Sequence, residues 1–140
     1  MNLTPYEEFM KTEAYKKFIE ENPAIGSLKI QAFTAYQAIP IPDTEILITK
    51  KINDQQVLFF KGYTDSSGII ENIELPAPPS LSSTELEATP AYTIYDLTAI
   101  NEGYETIKRY EIGMFGDIKV IQYVKMTPQI ELTEVNQDGN

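Results

Sequence analysis

Catalysis needs side chains that move protons, attack carbon or hold ions, and this chain of 140 residues lacks the usual ones. It contains no histidine, the commonest general base and metal ligand. It contains no cysteine either, so neither a thiolate nor a disulfide is available and the redox compartment is left open. Ser66, Ser67, Ser82 and Ser83 have no histidine to activate them, and spacing alone does not argue a Ser–Lys dyad. What remains is oxygen, on 21 Asp and Glu residues. A hydrolase working with two carboxylates is the one enzyme class such residues allow. With so many acids some pair always comes close, so a solvated acidic surface is the better explanation. The chain is expected to be non-enzymatic.

The same oxygens could hold Ca²⁺, which takes six to eight of them. If successive strands alternate in direction, the connections at 37–43, 63–68 and 101–104 fall at one pole. That pole collects Asp43, Asp65, Ser66, Asn101, Glu102 and Tyr104. Asp43, Asp65 and Glu102 are the calcium candidates, but no DxDxDG spacing is present, and acids that form turns explain them better. No other metal or cofactor is implied. Tyr36, Tyr63 or Tyr104 could stack on sugar rings, although strand pairs account for them equally. The candidate ligand surface is therefore Tyr63, Asp65, Ser66, Asn101 and Tyr104. A formal charge of −10 argues against nucleic acid and against anionic membranes. No apolar run suggests a leader or a membrane span, so a soluble chain without a recognisable export signal is expected, its localisation undetermined.

Those residues need a frame. Residues 61–79 hold a strand end, a turn at 64–68, a second strand and a proline stop. Asp and Ser side chains in the turn can bond amides two residues on, and Gly68 accepts a positive φ. Pro76, Pro78 and Pro79 then end the strand. From Gly26 the apolar residues recur at period two, which predicts strands at 27–36, 44–50, 55–61, 69–75, 91–100, 105–114 and 118–126. Leu28, Ile30 and Ala32 share a face of the first, and Ile46 and Ile48 a face of the second. The apolar run Val57, Leu58, Phe59, Phe60 places the third strand centrally. Gln122 falls on the apolar face of the last, where its amide is expected to bond to backbone. The 76–90 connection is predicted to cross between two sheets.

Ahead of the strands, Thr4, Pro5 and Glu7 form a helix start with Thr4 as cap, and a helical pattern runs to Glu21 before Asn22-Pro23. Two similar pieces, YEEFM at 6–10 and YKKFI at 15–19, lie nine residues apart. At about 100° per residue, that offset turns the apolar cluster by roughly half a turn. Two short helical pieces broken near Lys11-Thr12 are expected, lying on the domain. The expected organisation is a helical arm at 1–23, a sandwich at 24–128 and a polar tail or added edge strand at 129–140. Tyr6, Phe9, Met10, Tyr15, Phe18 and Ile19 at one pole, with Ile130 and Leu132 at the other, could serve a head-to-tail assembly of copies.

PIPDTEILI, GYTDSSGII, AYTIYDLTA and EGYETI, in that order, resemble the carboxypeptidase regulatory-like domain. The resemblance covers about residues 26–128. It implies a mainly β fold, a seven-stranded antiparallel transthyretin-like (Ig-like) sandwich, here with an N-terminal helical arm, and a non-enzymatic accessory role. AFTAYQAIPIP, LPAPP and IQYVKMTP resemble modules of Firmicutes cell-wall or spore-associated proteins. The expected function is binding of carbohydrate or protein at such a surface, or alternatively a structural subunit that self-assembles through arm and tail. Related sandwiches with an internal Lys–Asn isopeptide bond need an inward Lys on the first strand, an inward Asn on the last and an acid between. Lys29 alternates outward, the last strand has no Asn, and Asp96 has nothing to serve, so no such bond is expected.

Overall fold

The computed structural model describes residues 2–34, 39–80 and 91–130. The order of elements is β1 (Leu3–Pro5), α1 (Tyr6–Phe9), α2 (Glu13–Glu21), β2 (Ala24–Thr34), β3 (Glu45–Ile52), β4 (Gln55–Tyr63), β5 (Ile69–Ala77), β6 (Thr93–Ile100), β7 (Ile107–Met114) and β8 (Lys119–Met126). They form a five-stranded sheet in the order β1-β4-β3-β6-β7 and a three-stranded sheet in the order β5-β2-β8. The transthyretin-like sandwich expected from the sequence is the architecture observed, with eight strands rather than seven. Both sheets are mixed, because β1 runs parallel to β4 and β2 runs parallel to β8. Among the described residues no helix is long and apolar enough to cross a membrane.

Period-two alternation decides which side chains enter the core. Leu28, Ile30 and Ala32 from β2 meet Ile46 and Ile48 from β3, Tyr95 and Leu97 from β6, and Met114 and Met126 from β7 and β8. The β3–β4 hairpin turns on Asn53 and Asp54, both at positive φ (48° and 65°), which suits the right-handed twist of the flanking strands. In β5 the register against β2 shifts between Leu28 and Ile30, with Asn72 at φ 57°, so two residues face one in a bulge. A second shift separates Ile48 and Thr49 from β4, where Phe60 pairs with Ile48 and Leu58 with Thr49. Phe59 is the unpaired residue, and both it and Phe60 pack against the core. That bulge explains the run of four apolar residues. β4 is not the centre of its sheet, which is β3, but is flanked by β3 and the short β1.

The N-terminal residues depart most from expectation. Thr4 is not a helix cap: it pairs with Val57 in β1, Pro5 occupies the position before α1, and no side chain caps that helix. The residue before a proline is pushed towards extended geometry, and the free edge of β4 offers it backbone partners. The helical break falls where the repeat placed it. The backbone turns through Met10, Lys11 and Thr12, where the Thr12 hydroxyl donates to the Phe9 carbonyl at 2.7 Å. This turn brings Phe9 and Phe18 together, with centroids 5.7 Å apart in edge contact. Both are buried with Val57, and Tyr6, Tyr15 and Phe59 pack around them. At its end α2 is closed by Asn22, whose side-chain and backbone N–H both donate to the Phe18 carbonyl at 2.9 Å.

Phe59 joins this cluster to the main core, 4.6 Å from Tyr6, 5.6 Å from Phe18 and 5.0 Å from Tyr95. Truncating a fully buried phenylalanine leaves a cavity and typically costs about 3–5 kcal/mol. Phe9→Ala should therefore lower the urea midpoint by that much free energy. Met10→Ala, one residue on and exposed, should change it by less than about 0.5 kcal/mol. Urea unfolding of the two variants checks the pair.

Candidate functional site

The connections expected to share a pole do meet, and they bond to one another. The Thr64 hydroxyl donates to the Ile41 carbonyl at 2.7 Å and accepts from the Thr44 amide at 2.9 Å. Asn101 donates through Nδ2 to the Pro42 carbonyl at 3.0 Å and to Thr44 Oγ1 at 2.9 Å. Asp65 Oδ1 accepts from the amides of Ser67 (2.8 Å) and Ile69 (3.0 Å), and its carbonyl accepts from Gly68. Gly68 sits at φ +75°, and a Cβ there would collide with the Ala32 carbonyl. Residues 127–129 close the plate: Thr127 accepts from the Glu105 amide, and Gln129 donates to the Gly103 carbonyl. A buried polar group without a partner is costly, and here Thr44, Thr64 and Asn101 satisfy one another across three loops.

Of the candidate ligand residues, Asn101 and Asp65 are thus committed to holding loops. Tyr104 lies half-buried against the core. Tyr63 is 58% exposed, its hydroxyl donating to Glu45 at 2.9 Å, and Ser66 is exposed on the turn. Tyr36, Ser82, Ser83 and Leu132 lie outside the described residues. The three calcium candidates are not brought together. Among the described residues no group of three or more carboxylates is placed to hold a metal. Asp43 (φ 59°) and Asp65 shape turns instead, and Glu102 sits exposed on its own turn. The arm residues are also placed otherwise than an assembly surface needs. Phe9 and Phe18 are buried, Tyr6 and Tyr15 are packed around them, Ile19 is half-buried, and Met10 stays exposed.

Lys29 points outward, 3.6 Å from Glu71, and Asp96 binds Arg109 at 3.0 Å. The inward positions on the parallel pair β2–β8 are Leu28 opposite Val120 and Ile30 opposite Gln122, so no lysine faces an amide there. Gln122 is half-buried and donates to the neighbouring Tyr123 carbonyl at 2.9 Å, the backbone bond expected of it.

A residue that the sequence reading passed over lies at the other end. Lys50 follows Ile46 and Ile48 at period two, so the same parity that buries them turns it inward; that was the available signal. Its Nζ donates to the Ile94 carbonyl at 2.8 Å and sits 5.4 Å from the centre of the Tyr95 ring. Burial lowers its pKa below the ordinary lysine value, while Asp96 and Glu21 act against that shift. Beside it, under α2, opens a groove of about 320 Å³ lined by Lys17, Glu21, Asn22, Asn53 and Thr93. Its lining carries three lysines, Lys17, Lys50 and Lys51, against the one carboxylate of Glu21.

No protein-family model matches the sequence, and no curated protein does. Among solved structures, the fold is similar to the minor pilin of the Gram-positive pathogen Streptococcus agalactiae, with TM-score 0.53 and 13% identity over 77% of this chain and 46% of that one. It is similar to the shaft pilin SpaA of Lactobacillus rhamnosus GG, with TM-score 0.51 and 15% identity over 76% and 52%. It is also similar to the Bacillus anthracis TIE protein, with TM-score 0.50 and 16% identity over 75% and 17%. The chain thus spans at most about half the length of these proteins. At such identities the likeness is one of fold alone, a two-sheet β-sandwich.

The buried phenols make stability pH-dependent. Burial first, then the Tyr15 charge and hydrogen bond, push Tyr6 up to about 12, and burial pushes Tyr95 higher still. An unfolded tyrosine ionises near 10, so above that pH the unfolded chain binds fewer of these protons than the folded one. Their contribution is fully present below pH ~10 and is lost as pH rises through about 12. Lys50 has the opposite sign, since its folded pKa is lowered and its contribution improves as pH rises towards 10.5. Urea midpoints measured across alkaline pH should fall above pH ~10, and Tyr6→Phe should flatten that fall.

Proposed function

We propose that the chain is a non-catalytic structural module of a bacterial surface protein. The observation that carries this reading is the pairing of β2 with β8. These are the first and last long strands, and they run parallel in unbroken register from Ser27 opposite Lys119 to Thr34 opposite Met126. Tension entering at the start of β2 and leaving at the end of β8 pulls the two strands past each other. Every hydrogen bond of the pair is then loaded at once. The polar groups of the loop pole, satisfied across three connections, keep that end closed under load. Among the described residues Gln56 Oε1 is the one buried side-chain polar atom without a partner, and so closely satisfied a body suits a rigid spacer under tension. The neighbours in fold that are named as pilins of Gram-positive bacteria support the setting.

Recognition of carbohydrate or protein, as the sequence resemblance implied, is the second reading, favoured by the exposed Tyr63 ring beside Glu45. It predicts retention on purified peptidoglycan that Tyr63→Ala abolishes.

The structural reading is tested by single-molecule force spectroscopy on the full chain. Pulled through residues 24 and 126, it should unfold at a clearly higher force than when pulled through residues 45 and 63, where the β3–β4 pairs open one after another. Equal forces in the two geometries would remove the basis of the proposal.

A further inference from the structure

The sandwich is open along one side. β7 ends the five-stranded sheet and β8 ends the three-stranded one, and neither has a strand on its outer side among the described residues. Between them runs an apolar groove of about 300 Å³, lined by Leu97, Ile107, Tyr110, Tyr123, Val124 and Lys125. Tyr110 and Tyr123 stand 50% and 57% exposed at its rim, unusual for aromatic side chains beside unpaired backbone. On a chain of net charge −10, one cation, Lys125, lines this groove, exposed and without an acid partner among the described residues. An unpaired edge, an apolar trough and the Lys125 ammonium beside it together suit an extended acidic segment with alternating apolar residues.

The chain carries such a segment. Residues 129–135 read QIELTEV, with Ile130 and Leu132 in alternation and Glu131 and Glu134 between and beyond them. Where its described part ends, Ile130 is 75% exposed. The direction matters. Thr127 accepts from Glu105 and Gln129 donates to Gly103, so the chain leaves β8 running back along the β6–β7 connection, away from the groove beside β7. At Ile130, the last described residue, the chain is thus directed away from its own groove.

We propose that residues 130–135 of one copy, beyond the Gln129 bond to Gly103, add as a strand in the β7–β8 groove of a second copy, so that copies associate head to tail. The tail leaves one pole while the groove flanks the strands, so the contact joins two different surfaces. It does not close on itself by a two-fold axis and can propagate. The inference rests on the structural-module reading, which it extends from a single rigid body to a chain of them. It keeps the tail residues Ile130 and Leu132 of the sequence expectation and takes the groove in place of the arm as their counterpart, since Phe9 and Phe18 are buried within their own chain.

The test uses the full chain in two variants. Ile130→Asp should break the tail and leave the groove, and Tyr110→Asp should break the groove and leave the tail. Sedimentation velocity across a concentration series should show the wild type associating, and each variant alone should associate roughly tenfold or more weakly, as expected for a charge placed in a desolvated strand contact. An equimolar mixture should form a heterodimer and nothing larger, because one tail and one groove remain. Added QIELTEV peptide should disperse wild-type oligomers and slow amide exchange along β7 and β8, where a scrambled peptide does neither. Three results overturn the proposal. One is a wild type that stays monomeric at millimolar concentration. Another is a mixture that fails to pair. The third is an Ile130→Asp monomer whose β7 and β8 amides exchange faster than those of monomeric wild type, which places the tail in its own groove. None of these results touches the force comparison, so failure of the joint and failure of the spacer reading remain distinguishable.

Discussion

A five-stranded sheet laid on a three-stranded one leaves apolar surface with nothing over it, and the rest of this molecule is arranged around that mismatch. The uncovered part is the inner face of β4 and the end of β3. Phe9 and Phe18 fill it from the arm, and the β4 bulge adds Phe59 to the same inner layer, touching both the arm and Tyr95. Fully burying a phenylalanine contributes about 1.5–3 kcal/mol, so Phe9 and Phe18 alone represent a sizeable part of a domain's net stability of about 5–15 kcal/mol. Where the arm runs out, Lys50 lies over the Tyr95 ring with its ammonium on a carbonyl and closes the end with a charge. The arm is therefore the missing part of the thinner layer, and β1 completes the edge of the thicker one.

Much of this was legible in the sequence because alternation is a strong signal wherever one face is buried and the other wet. Seven strands stand close to where the period-two pattern predicted them. The turns at Asn53-Asp54 and Asp65–Gly68 follow from residue types that tolerate positive φ or bond their own backbone. The nine-residue repeat revealed the break between α1 and α2, because a straight helix cannot place Phe9 and Phe18 on one side. What stayed hidden has one cause in common: partners distant in sequence. Thr4 carries the type and spacing of a cap, and only the free edge of β4, more than fifty residues away, makes it a strand residue. Lys50 looked like the polar end of a strand until the arm came down beside it. Asp43, Asp65 and Glu102 look like ligands in a list of residues. In space they sit on separate turns, and of the three the Asp65 carboxylate is bonded to turn amides.

The same division separates what the fold holds closed from what it leaves open. At the loop pole, Thr44, Thr64 and Asn101 knit three connections together and leave little that could bind. Along the side, β7 and β8 present unpaired backbone and exposed tyrosines. On the proposed reading, the sealed pole and open flank correspond to transmitting force and to being joined to neighbours. The parallel β2–β8 register is the geometry in which shear would load the bonds of the pair together.

The central claim is that arm and sandwich form one cooperative body. Native-state hydrogen exchange on the full chain, followed through low denaturant, tests it most directly, because it reads the opening free energy of each segment separately. The account predicts that the amides at the end of α2, around Phe18 and Ile19, merge with those of Val57 and Phe59 in β4 into one opening event at the global free energy. Exchange of the α2 amides through a separate, much lower-energy opening, with β4 still protected, would show the arm to be a detachable appendage and would contradict the account.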